Sequence, residues 1–126
     1  MNQPFAIGNI VRAAYKTGEY IGEIVELGAE KAAVRVLAVL RHPTQGDLHR
    51  PNNPDVGFFH QRRALAFQEI ALMPYQTIGL YSQQIPDYKE SLRKALQADI
   101  DALQKTVRFA ERSLEELEAL KRDYNV

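Results

Sequence analysis

The chain has 126 residues and a mass of 14.3 kDa, with 16 Lys and Arg against 16 Asp and Glu, 45% hydrophobic residues and no cysteine. That length fits one domain able to bury roughly 65–70% of its unfolded surface without disulfides or metals, and the lack of cysteine excludes a disulfide framework, a thiolate nucleophile, a zinc ribbon and a thioether lipid anchor. Zero net charge and a pI near 6.8 argue against a general nucleic-acid or acidic-membrane binder.

Up to about Leu72 the apolar residues come in short runs broken by Gly, Pro and Asn, which is a strand signature. Ile10 to Tyr15 is expected as a first strand, followed by a tight turn over Lys16-Thr17-Gly18-Glu19 in which Gly18 tolerates positive φ. Tyr20 to Leu27 and Lys31 to Leu40 follow as second and third strands, the latter carrying Val34, Val36 and Val39 for a pleated buried surface. Gly8 and Gly22 stand where such sheets bend or bulge. After a long excursion, Ala64 to Leu72 is expected as a fourth strand. Short strands with local connections predict a small antiparallel β-sheet or SH3-like barrel.

From Pro86 to Tyr124 there is no glycine and no interior proline, and apolar residues recur at helical spacing. Asp87 and Glu90 match a capping box next to Pro86. One stripe runs through Tyr88, Leu92, Ala95, Leu96, Ile100 and Leu103, a second through Ala110, Leu114, Leu117, Leu120 and Tyr124. They predict an αα-hairpin or one long helix broken around Thr106-Val107, with both stripes buried against the sheet or each other. The fold class is therefore α+β: a β-barrel-like domain over residues 1–73, with a long loop at 41–63, and a helical extension over 74–126 packed on it as a single structural unit.

The loop at 41–63 holds all three histidines and three of the six prolines. An irregular segment of this length is uncommon unless it binds something or is disordered. Its prolines and the apolar Leu48, Val56, Phe58 and Phe59 point to an ordered loop packed on its own sheet, with one of Phe58 and Phe59 turned inward. His42, His49 and His60 with Asp47 are the right types for a transition-metal site, although their spacing matches no compact ligand motif. A His–Asp pair suits acid–base chemistry, but no activated nucleophile accompanies it and no glycine loop cradles phosphate. Five arginines against two aspartates between Arg35 and Arg63, beside two phenylalanines, resemble the composition of single-strand nucleic-acid binders on small barrels. Arg and aromatic residues also dominate protein interfaces.

The segments Tyr15-Lys16-Thr17-Gly18-Glu19-Tyr20-Ile21-Gly22, Val36 to Pro43 with Gln45-Gly46-Asp47-Leu48-His49, and Phe58-Phe59-His60-Gln61-Arg62-Arg63-Ala64-Leu65-Ala66-Phe67 resemble the kinase-associated protein B family of spore-forming Bacilli. So do Ile85-Pro86-Asp87-Tyr88-Lys89-Glu90-Ser91-Leu92 and Phe109-Ala110-Glu111-Arg112-Ser113-Leu114. The resemblance implies a small antiparallel β-domain with a helical extension. It further implies a non-catalytic accessory protein, without a cofactor, that supports a membrane-bound sensor histidine kinase feeding the sporulation phosphorelay. The family is labelled a lipoprotein, yet this sequence offers neither a secretory signal nor a cysteine to acylate, and no run approaches the roughly 20 apolar residues that span a bilayer. The expectation is a cytoplasmic protein, brought to the inner membrane face by its kinase partner. Its contact surface is expected at His42, Asp47, His49, Phe59, His60, Arg62 and Arg63, with no metal. The alternatives are a barrel that binds nucleic acid and a metal-binding protein that uses the loop histidines.

Overall fold

Three β-rich segments that follow one another closely in sequence pair locally. The computed structural model, which describes residues 4–126, contains β1 (Ile10–Tyr15), β2 (Gly18–Leu27) and β3 (Lys31–Arg41) as an antiparallel meander. In the β1–β2 hairpin the left-handed residue is Lys16 (φ 53), not the glycine expected to take that role. Gly18 serves a different purpose, since a Cβ there would lie 2.6 Å from the Tyr20 hydroxyl.

Bulges between β2 and β3 decide which residues face the core. Ile21 pairs with Ala38 but Gly22 pairs with Val36, so Leu37 is an extra residue on β3. An extra residue reverses the inward–outward alternation. Hence Ala32, Val34 and Val36 point to the core before the bulge, and Val39 after it. Gly22 stands at that irregularity because a Cβ would meet the Arg35 carbonyl oxygen at 2.5 Å.

The fourth strand differs from expectation. Ala64 to Gln68 is not strand; a reverse turn closes there, with Gln68 at φ 69 and the Glu69 amide donating to the Ala66 carbonyl at 3.1 Å. β4 therefore begins only at Ile70 and runs to Pro74, paired with β3. A 3-10 turn (Tyr75–Thr77) then leads to β5 (Gly79–Leu80), a two-residue strand against β1 that the sequence did not reveal. The order is β4-β3-β2-β1-β5. Cα atoms of β1 and β4 approach within 8 Å, but no ladder joins them, so this is a curled open sheet rather than a closed barrel. The α+β class with a small antiparallel sheet and a C-terminal helical extension is as expected.

One unbroken helix, α1 (Tyr88–Tyr124, 37 residues), forms the rest. At about 1.5 Å per residue it is about 55 Å long. The expected break at Thr106 is absent; its hydroxyl donates to the Ala102 carbonyl at 3.1 Å and the helix runs on without interruption. Asp87 caps the N-terminus, its Oδ2 accepting from the Glu90 amide at 3.2 Å. Glu90 does not complete the capping box; its carboxylate pairs with Arg93 instead.

The chain divides into two compact units, one ending at Ala95 and one spanning Leu96–Val126. In the first, Val11, Tyr20, Ile24, Val34, Val36 and Met73 are fully buried, and Ala95 joins them from the start of α1. Full burial of a Val, Ile or Met side chain contributes about 1.5–3 kcal/mol, so these positions carry most of the stability of the unit. Ser91 is the buried polar residue of this region (7% exposed), and its Oγ accepts from the Val39 amide at 2.9 Å while donating to the Tyr88 carbonyl at 2.7 Å. In the second unit, against expectation, the apolar residues of the helix are exposed: Leu103, Val107, Leu114, Leu117 and Tyr124 all face outward.

Candidate functional site

The segment from Arg41 to Arg63 leaves the end of β3 and returns as a closed loop. Its neck is sealed by a side chain acting as backbone. The Gln45 carboxamide donates from Nε2 to the Arg62 carbonyl at 2.9 Å and accepts at Oε1 from the Arg62 amide at 2.8 Å. That is the two-bond exchange an antiparallel partner residue makes. One step further in, the Gly46 amide donates to the His60 carbonyl at 2.9 Å. Arg62 then turns its guanidinium inward, donating from Nη1 to the carbonyls of Thr44 (3.0 Å) and Gly46. The Thr44 amide donates to Thr17 Oγ1 at 2.9 Å, which ties the neck to the β1–β2 turn.

Gly46 is required at the neck for two reasons. Its φ of +93 is a conformation that L side chains rarely adopt, and a Cβ would lie 3.0 Å from the Phe59 ring. Beyond the neck, the tip is held by short-range turns. Asp47 Oδ1 accepts from the His49 amide at 2.9 Å, the Arg50 amide donates to the Asp47 carbonyl, and Asn53 Oδ1 accepts from the Asp55 amide at 2.8 Å. The loop is thus ordered, as expected, but mostly by bonds to itself rather than by packing on the sheet.

The structure sorts the seven expected contact residues into two groups. His42, Asp47 and Arg62 are partly buried, and each is engaged internally: His42 Nδ1 lies 3.0 Å from the Pro43 carbonyl oxygen, and the other two hold the tip and the neck. His49, Phe59, His60 and Arg63 are exposed. Neither adjacent phenylalanine turns inward; Phe58 is 68% and Phe59 55% exposed. Phe58, absent from the expected set, stacks edge-on against the His60 ring with centroids 4.4 Å apart. The signal for it lies in the doubled aromatic, of which the expected set holds only Phe59.

The histidines do not converge. Among the described residues no group of three or more His, Asp or Glu side chains is placed to hold a metal ion. The local excess of arginine is also smaller in effect than in number. Arg35 pairs with Glu23 and Arg41 with Glu19, both at 3.6 Å, and Arg62 is spent on the neck. Arg50 and Arg63 are left exposed, too few cations to track a phosphate backbone. What the arrangement presents is a closed loop carrying an exposed aromatic–imidazole pair and the exposed arginines Arg50 and Arg63, the group types that anchor protein interfaces. No helix among the described residues is long and apolar enough to cross a membrane.

Comparison with known proteins covers nearly the whole chain. The family described as "Kinase associated protein B" matches residues 15–125. A curated relative, "Kinase-associated lipoprotein B" of Bacillus subtilis (strain 168), is 45% identical over 121 residues, which is 95% of this chain and 94% of the relative. The X-ray crystal structure of kinase-associated protein B from Bacillus cereus superposes with a TM-score of 0.68 at 42% identity, covering 97% of this chain and 99% of that one.

Proposed function

Because this chain belongs to the kinase-associated protein B family, we propose that it is a non-catalytic accessory protein. It binds and supports a membrane sensor histidine kinase of the sporulation phosphorelay from the cytoplasmic side. The observation that carries the choice of surface is the loop at 41–63: an exposed Phe58–His60 pair held on a neck closed by Gln45 and Arg62. Interfaces gain most from aromatic and Arg side chains that are already ordered before binding, since little conformational entropy is then lost. In this reading Phe58, Phe59, His60, His49 and Arg63 make the contact. His42, Asp47 and Arg62 act through them by fixing the loop.

Isothermal titration of the full chain with the cytoplasmic portion of the kinase tests this. Replacing Phe58, His60 and Arg63 by alanine together should weaken binding by at least about tenfold, equivalent to about 1.4 kcal/mol, with no loss of melting temperature. Arg62→Ala should weaken binding and also loosen the neck. Unchanged affinity in the folded triple variant would remove the loop from the interface, and no heat with the wild-type chain would remove the kinase.

A further inference from the structure

The second half of α1 carries a rhythm that a helix lying on a sheet does not need. Ile100, Leu103, Val107, Ala110, Leu114 and Leu117 follow one another at steps of 3, 4, 3, 4 and 3, and the same series reaches back to Leu96 and forward to Lys121 and Tyr124. A sustained seven-residue repeat is the signature of helices that supercoil about each other, because it departs from the 3.6-residue turn of a solitary helix. The positions flanking the seam are polar except for one: Gln97, Gln104, Glu111 and Glu118 lie on one side, and Asp99, Thr106, Ser113 and the apolar Leu120 on the other. The seam is therefore narrow, as in a two-stranded coil rather than a larger bundle. It is also open, with Leu103 64%, Leu114 57% and Leu117 61% exposed.

We propose that Leu96–Tyr124 pairs with the same segment of a second copy of this chain as an antiparallel two-stranded coiled coil. The orientation follows from two residues that break the apolar series. In a parallel pair Ala110 would face Ala110, leaving a gap, and Lys121 would face Lys121, a like-charge contact. Antiparallel alignment sets Ile100 opposite Leu117 and Leu103 opposite Leu114. It places Ala110 against the larger Val107, which fills the layer. Lys121 then lies opposite Leu96 and within one turn of Asp99 of the second copy, an attractive pairing. Across the flanks Gln97 meets Glu118, Gln104 meets Glu111, Thr106 meets Ser113 and Asp99 meets Leu120, so no like charges oppose one another there. The pairing is independent of kinase binding through the loop.

Sedimentation equilibrium of the full chain gives the first readout. The apparent mass should rise from 14.3 kDa toward twice that value with concentration. The double variant Leu103→Asp/Leu114→Asp should stay at the lower mass with the melting of the sheet unchanged, while Phe109→Asp, outside the seam, should dimerise as the wild type does. Because the chain has no cysteine, introduced thiols report the orientation. In the antiparallel pair residues 103 of the two copies are about 16 Å apart along the axis, beyond the roughly 7 Å Cα separation a disulfide spans. Leu103→Cys should therefore cross-link only when mixed with Leu114→Cys. A chain that stays monomeric at every concentration overturns the proposal, as does a dimer that survives the aspartates. Self-cross-linking of Leu103→Cys overturns the antiparallel arrangement, and a monomer whose seam is covered only by the kinase assigns the seam to that partner instead.

Discussion

Ser91 shows how much one hydroxyl decides. It sits in the first turn of α1, yet its Oγ satisfies the Val39 amide 52 positions away, just past the point where the bulge at Leu37 reverses β3. Leaving a buried donor unpaired costs about 1–3 kcal/mol, so Ser91→Ala should lower the unfolding free energy from urea titration by that amount, whereas Ser113→Ala should leave it unchanged. A similar dependence surrounds Leu65, whose amide donates to the Tyr20 hydroxyl at 3.2 Å and whose carbonyl accepts from the Tyr88 hydroxyl at 2.6 Å. Burial is the main reason both phenols titrate above the ordinary value of 10.0. For Tyr20 the Leu65 amide opposes the rise, and the Glu69 charge adds to it for both. Above about pH 10 the unfolded chain therefore holds fewer protons on these groups than the folded one, so stability is level below that pH and falls as the pH climbs through the raised values. Denaturant unfolding at stepped alkaline pH should show this decline, and Tyr88→Phe should reduce its slope while costing some stability at neutral pH. Gly22→Ala should be more damaging than either, because the new methyl would press on the backbone carbonyl of Arg35, which has no rotamer to yield.

At the level of elements, local order was legible and distant order was not. The β1–β2–β3 meander could be traced because each pairing spans a short turn whose residues announce it. β4 was placed too early because Ala64 and Leu65 are as apolar as a strand residue; in the structure they pack on the core edge beside Tyr20 and Tyr88, ahead of the turn that ends at Glu69. β5 is two residues long and exists only because β1 offers a free edge. The helix showed its length in the absence of glycine and proline, but the burial of its stripes could not be inferred, since the same leucines suit a sheet, a neighbouring helix or a second molecule. The neck of the loop was illegible for another reason: Gln45 and Arg62 are 17 residues apart, and nothing in a glutamine marks it as a stand-in for backbone. Gln45→Ala should cost about 1–2 kcal/mol locally, seen as faster hydrogen exchange at the Gly46 and Arg62 amides, with the sheet amides unaffected.

For the molecule as a whole, the two units rest on different sources of stability. The sheet unit has a buried core; the unit from Leu96 onward is a single helix whose apolar side chains face outward. A lone helix draws most of its stability from packing of an amphipathic face, so the two should not open together. Hydrogen exchange is expected to be slowest in β2 and β3 and markedly faster from Leu96 to Tyr124, with the latter slowing as concentration rises if copies pair. The family resemblance could be drawn from the residues alone because its matching segments are spread over both units. The contact surface was only partly legible: composition drew attention to the loop, but which of its side chains face out depends on a neck that composition does not encode.

That neck also bears on how such a protein can diversify. Since the closure lies at Gln45, Gly46, His60 and Arg62, the thirteen residues between Gly46 and His60 form a cassette whose sequence is uncoupled from folding of the sheet. Even doubling its length would add only about 0.6 kcal/mol of closure entropy. Lineages that keep the clasp are free to exchange the tip and thereby change partner, without having to relearn how to fold.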